Sequence, residues 1–203
     1  MTHLLIVCLV SACEGSDTVS SDEQARRAYL GLDQSIGKSI TLGFDGFNSA
    51  QSANISPQMV NGDSAGTLTI TGQVDQGASA NKGMRLYVGM VGYTDGAIKV
   101  NDKGDTIHVT YDTSTTQADQ PYLQMSLKNI PTGTLSGTLS SGGTMTGLYH
   151  LSGDLKGDVS LDLTFTGTLM AGPSNTVVRV PGSTHVTGTA TSGNGMYMVD
   201  VTI

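Results

Sequence analysis

Leu161-Asp162-Leu163-Thr164-Phe165-Thr166 alternates without a break, with Leu, Leu and Phe on one face and Asp, Thr and Thr on the other. Successive side chains of an extended chain point to opposite sides, so this pattern predicts a strand with one face buried and one in water. Thr67-Leu68-Thr69-Ile70-Thr71 and Thr106-Ile107-His108-Val109-Thr110-Tyr111 alternate in the same way. Turn signals separate such segments at Asp95-Gly96, Lys103-Gly104, Ser141-Gly142-Gly143, Lys156-Gly157, Pro181-Gly182 and Gly193-Asn194-Gly195. The expectation is a mainly β domain of about nine to ten strands from Gly66 to Ile203, an antiparallel β-sandwich or a full or half barrel. Short connections should join neighbours as hairpins. Gly-Thr-Leu recurs at 66, 133, 137 and 167 with no common period, which is shared strand composition and not a solenoid repeat.

Upstream of the strands the period changes. Ala28, Leu32, Ile36 and Ile40 recur every four residues, with Arg26, Arg27 and Asp33 off that stripe, which predicts one amphipathic helix over about 21–41. Ser21 and Gln24 have the spacing of a capping box, and Asp22 and Glu23 suit the positive end of a helix dipole. Gly31 and Gly37 each weaken such a helix by about 1 kcal/mol relative to Ala, so packing on the sheet is expected to hold it. Residues 43–65 read as a long irregular connection.

The chain of 203 residues carries a net charge of −7, 27 Gly, no Trp and 5% aromatic residues. An acidic surface repels phosphate backbones, so nucleic acid is not an expected partner. The scarcity of aromatic residues argues against a transmembrane barrel, which needs girdles of them at both interfaces.

The amino terminus reads as an address. Leu4 to Val10 is an unbroken apolar run, followed by Ser11, Ala12 and Cys13. It is too short for a membrane-spanning helix and has the form of an export signal. Such signals normally open with Lys or Arg, and here only His3 precedes the run. Val10-Ser11-Ala12-Cys13 resembles the lipobox of bacterial lipoproteins. The resemblance covers about a dozen residues and implies cleavage before Cys13, with Val10, Ser11 and Ala12 as the cleavage determinants. It implies a diacylglycerol on the Cys13 sulfur and a fatty acyl chain, such as palmitate, on the new amine. Residues 1–12 would then be the signal peptide, 13–20 the lipidated Cys and a short tether, and 21–203 a single β-rich domain. Glu14, where an Asp would favour inner-membrane retention, implies the outer membrane, at its periplasmic face or the cell surface. Cleavage removes Cys8, the other Cys of the chain, which leaves no disulfide framework and no Cys-based metal site.

Several segments imitate catalytic or ligand-binding motifs. Gly62-Asp63-Ser64-Ala65-Gly66 matches the G-x-S-x-G of serine hydrolases, but a strand follows it where that motif needs a helix. Gly31 to Ser39 resembles a phosphate loop with one residue too many between its glycines, and it lies inside the helix. His108 and His185 share faces with threonines, which predicts solvated imidazoles; with His150 they are too scattered to be recognised as a zinc site. Asn101-Asp102-Lys103-Gly104-Asp105 would place a cation at the third position of a calcium loop, so a hairpin turn is expected. No catalytic residue, metal or cofactor is assigned.

One pattern suggests a pocket. Met84, Leu86, Val88 and Met90 share a face, as do Leu123, Met125 and Leu127, and Met145, Met170, Met196 and Met198 fall in expected strands. Methionine conforms to irregular surfaces, as a hydrophobe site requires, and equally fills gaps in an ordinary core. Two functions remain open on this basis. One is a non-enzymatic, membrane-anchored lipoprotein serving as a binding or structural module, with an envelope protein as one possible partner. The other is a carrier of a lipid or other hydrophobic ligand, whose shape would resemble periplasmic lipoprotein carriers that curl a sheet around a helix. An enzyme would need a His beside a carboxylate or hydroxyl in a cleft, and no motif predicts that meeting.

Overall fold

The computed structural model describes residues 18–140, 147–173 and 176–203. The lipobox, Met145 and the Ser141-Gly142-Gly143 turn lie outside the described residues.

Helix α1 spans Asp22–Ser49. Ser21 Oγ accepts the Gln24 N–H at 3.2 Å, which satisfies a donor left open at the first turn, and Gln24 Oε1 accepts the N–H of the preceding Ser20 at 2.8 Å. The helix outruns its expected end near residue 41 by two turns. Gly43 and Gly46, in the stretch expected to be an irregular connection, lie in the helix and face the sheet. A Cβ on Gly43 would stand 2.7 Å from Met84 Sδ, and one on Gly46 would stand 2.9 Å from Ile55 Cβ. Close packing, which their lack of a side chain permits, outweighs their poor propensity.

Twelve strands follow among the described residues, against the nine or ten expected. They are β1 (Asn54–Asn61), β2 (Ala65–Val74), β3 (Lys82–Thr94), β4 (Ala97–Lys99), β5 (Thr106–Asp112) and β6 (Tyr122–Lys128). The others are β7 (Thr134–Ser140), β8 (Tyr149–Gly153), β9 (Gly157–Ala171), β10 (Val177–Arg179), β11 (His185–Ser192) and β12 (Gly195–Thr202). The first strand therefore begins at Asn54 and not near 66, inside the stretch read as irregular. Pro57 and a register shift between Ile55 and Gln58 hide its alternation. Both are tolerated because β1 pairs with β2 alone, on an edge.

All twelve strands join one antiparallel sheet. Two long strands organise it. β3 pairs with β2 along one side, while its other side meets β6 over Lys82–Tyr87 and β5 at Tyr93. β9 likewise meets β8 near its start and β7 further on, with β11 and β10 on its opposite side. The edge strands β1 and β12 both pack on α1, as do β2, β3 and β5 from the middle of the sheet. The sheet is thus curled round the helix, in a half-barrel with α1 as its filling. Leu32, Ile36 and Ile40 of α1 are buried with Leu68, Ile70, Leu86, Leu123 and Phe165 of the strands in one core. Tyr111, buried at the centre, donates its hydroxyl to the Ala28 carbonyl at 2.7 Å. At the helix start Arg26 donates to the Val100 carbonyl at 2.7 Å.

Candidate functional site

The face of α1 turned away from the core carries Gln34, Lys38, Thr41 and Asp45, spaced four, three and four residues apart and so aligned along one side of the helix. This stripe floors a cavity of about 630 Å3 in the gap between the two sides of the curled sheet. Met59 and Val60 of β1 form one wall, and Val178, Val180, Pro181 and Ile203 the other. Met59 is 65% exposed, unusual for so large an apolar side chain. The volume lies within the range of small-molecule sites, and the mixture of apolar walls with a few polar groups is their usual composition.

Two ion-pair clusters flank the groove. On the β1 side Lys38 Nζ reaches Asp63 Oδ1 at 2.8 Å and Asp95 Oδ1 at 2.5 Å. Tyr93 donates to the other Asp95 oxygen at 2.5 Å. Burial works to lower the Lys38 pKa, but its two carboxylates outweigh it and hold the ammonium above the ordinary lysine value. Tyr93 is pushed well above an ordinary phenol by burial first and then by Asp95. On the other side Arg179 donates to both Asp33 oxygens at 2.8 Å each, and Tyr29 donates to Asp33 Oδ1 at 2.7 Å. Burial and the Asp33 charge raise the Tyr29 pKa. Lys38 thus stays an ammonium and the two tyrosines stay phenols near neutral pH, so these groups offer no free base or nucleophile. Asp45 is exposed, and its carboxylate has no partner among the described residues. Among the charged side chains that line the groove, Lys38 and Arg179 are paired with carboxylates and Asp45 has no ion-pair partner among the described residues.

The residues expected to form a pocket are brought together elsewhere. Met84 pairs with Met125 and Leu86 with Leu123 across β3 and β6. Met84, Leu86, Val88, Met90, Leu123, Met125 and Leu127 are all 2% exposed or less. Gly43 of α1 seats directly on Met84 and Leu86, so helix atoms fill the space a ligand there would need. These side chains are core, and none of them lines the groove. Met170, Met196 and Met198 do lie in strands, but they face outward.

The imitated motifs fall on ordinary structural positions. Ser64 sits in the turn between β1 and β2, its N–H donating to the Thr94 carbonyl. Gly31 to Ser39 is continuous helix. Asn101 Oδ1 accepts the N–H groups of Lys103 and Asp105, each at 3.1 Å, and closes the β4–β5 turn. His150 and His185 each stand beside one carboxylate on the outer face, Asp158 at 2.6 Å and Asp200 at 2.8 Å. Among the described residues no three His, Cys, Asp or Glu side chains group to hold a metal. Local periodicity does not reveal the groove residues, because the expected helix ends before Asp45 and the expected irregular connection covers β1. A helix drawn to Ser49 would have exposed the polar stripe.

Comparison with protein families, curated proteins and solved structures finds no match for this chain.

Proposed function

We propose that this chain is an exported bacterial lipoprotein, anchored through Cys13 and serving at the cell envelope as a non-enzymatic binding module, with the groove over α1 as its binding seat. The observation that carries the binding reading is the cavity of about 630 Å3 at the seam of the sheet, with apolar walls and one unpaired carboxylate. An elongated amphiphile fits these features, its apolar body between Met59 and Val178 and a cationic head at Asp45. A carrier that enclosed its ligand inside the sheet would need the volume α1 occupies, so the ligand is placed at the seam. The lipoprotein reading rests on the residues Val10-Ser11-Ala12-Cys13. The outer membrane, by way of Glu14, remains the proposed address, and the acidic surface argues against nucleic acid as a partner.

Intact-mass spectrometry of the full chain expressed in a bacterial host tests the anchor. A product starting at Cys13 and carrying diacylglycerol plus one fatty acyl chain is expected, and an unmodified chain would refute it. The groove is tested on residues 13–203 carrying Cys13→Ser, expressed without the signal and with the neutral apolar dye N-phenyl-1-naphthylamine as probe. Dye fluorescence should rise on binding, and dodecyltrimethylammonium should displace the dye at lower concentration than dodecyl sulfate does. Asp45→Asn should reduce that preference. Thr41→Trp, which places an indole in the cavity, should weaken the dye by about tenfold or more, a contact loss of order 1.4 kcal/mol. Dye binding that ignores Thr41→Trp would remove the groove from consideration.

A further inference from the structure

Independent of the anchor and the groove, the outer face of the sheet carries a second arrangement with ligand-binding chemistry. The chain has seven Tyr and no Trp, and Tyr29, Tyr93, Tyr111 and Tyr149 are buried. Of the other three, Tyr87 and Tyr122 are register partners across β3 and β6. Their ring centroids stand 5.1 Å apart with the planes inclined at 57°, and neither hydroxyl has a partner among the described residues. Two half-buried aromatic rings thus meet water side by side on a face otherwise dominated by Thr, Ser and Gln.

The polar groups around them are fixed in place. Gln73 donates to Asn54 Oδ1 at 2.9 Å and accepts from Arg85 Nε at 3.4 Å, while Arg85 donates to Asp75 at 2.7 Å. Gln117, from the short 3-10 helix Gln117–Asp119, donates to Thr71 Oγ1 at 2.7 Å. Asn54 and Gln117 are each held by one neighbour, Gln73 and Arg85 by two, and all four keep further donors or acceptors for a ligand. Together with the two rings they bound a concavity of about 300 Å3. Its formal charge is balanced, because Asp75 offsets Arg85.

Rings without a charge to attract ions, set among forked amide and guanidinium groups, match one ligand chemistry closely. A pyranose presents C–H bonds on its faces, which pack on aromatic rings, and hydroxyl groups at its rim, which pair with planar amides. We propose that Tyr87 and Tyr122, with Asn54, Gln73, Arg85 and Gln117, form a glycan-binding site for a neutral oligosaccharide. The volume takes about one or two sugar rings, near the lower bound of small-ligand sites. Gln124 and Thr138 continue the rank from Arg85 across β6 and β7, so a longer chain meets further polar side chains in line.

The test is isothermal titration of the full chain in a zwitterionic detergent free of sugar headgroups, against maltohexaose, cellohexaose, xylohexaose and chitohexaose. Binding of at least one hexasaccharide is expected, with the matching disaccharide weaker. Tyr122→Ala should weaken it roughly tenfold through the lost stacking face, and Tyr122→Phe by less than about threefold. Tyr87→Ala combined with Tyr122→Ala should abolish it. Both rings point outward, so unchanged melting of the variants shows that folding is intact. Failure of all four sugars to bind would overturn the proposal, as would binding that survives the double variant or a marked preference for polygalacturonate. Each outcome is separate from the dye experiment, because none of these residues lines the groove.

Discussion

Asp33→Ala should destabilise the folded chain by about 3–5 kcal/mol, the usual cost of removing one partner from a buried ion pair. The side chains of Asp33 and Arg179 are only 10% and 13% exposed, and among the described residues no other carboxylate reaches the guanidinium. The variant leaves Arg179 charged and the Tyr29 hydroxyl unpaired in a nearly dry site, and desolvation of those groups makes up most of the loss. Thermal unfolding should fall by roughly 6–20 °C for a chain of this size. Asp33→Leu combined with Arg179→Met should recover most of it, because apolar replacement of a whole pair is often neutral. Denaturant melts of the three proteins decide the matter. A loss below about 1 kcal/mol for Asp33→Ala would show that the pair does not tie α1 to β10.

The second large effect contrasts two glycines of one helix. Gly31→Ala and Gly37→Ala carry the same gain in helix propensity, about 1 kcal/mol, yet their signs should differ. A Cβ on Gly31 would stand 2.4 Å from the Tyr111 hydroxyl oxygen. The ring must shift, and its buried hydrogen bond to Ala28 is strained or lost. The overpacking and the unpaired hydroxyl together should leave a net loss of about 2–4 kcal/mol. At Gly37 the nearest heavy atom is Arg179 Nη2 at 3.7 Å, an ordinary contact, so Gly37→Ala should stabilise by about 0.5–1 kcal/mol. Equal responses from the two variants would mean that Tyr111 does not set the approach of the helix.

That contrast also shows what the sequence could and could not reveal. The alternation in Leu161 to Thr166 was enough for a half-buried strand, and Ala28, Leu32, Ile36 and Ile40 were enough for the helix, because both patterns report directly on which side faces the core. Glycines carry no such report. Gly43 and Gly46 fall in the stretch expected to be irregular, yet they lie inside α1 against the sheet, and only the position of Met84 and Ile55 shows it. β1 was obscured for a related reason: an edge strand with Pro57 and a shifted register obeys weaker rules than a central one. The Met and Leu residues of β3 and β6 were rightly placed on shared faces, but the pattern had no means of showing that a helix lies on them. The groove and the tyrosine pair join residues far apart in the chain, such as Tyr87 with Asn54 or Lys38 with Ile203, and local periodicity says nothing of such meetings.

The last strand closes on the first helix: Asp22 accepts the N–H of Met198, across 176 positions of chain, and β12 packs along α1. A glycine-rich helix that depends on the sheet cannot stand alone while the strands that enclose it are still missing. A chain translocated from its amino terminus would therefore emerge helix first and wait, with its core unassembled, until β12 had followed. Contacts so distant in sequence make folding slow, on the order of milliseconds to seconds. Assembly is thus a late, all-at-once event, and a chain truncated before β12 should remain a target for proteases instead of persisting as a smaller domain.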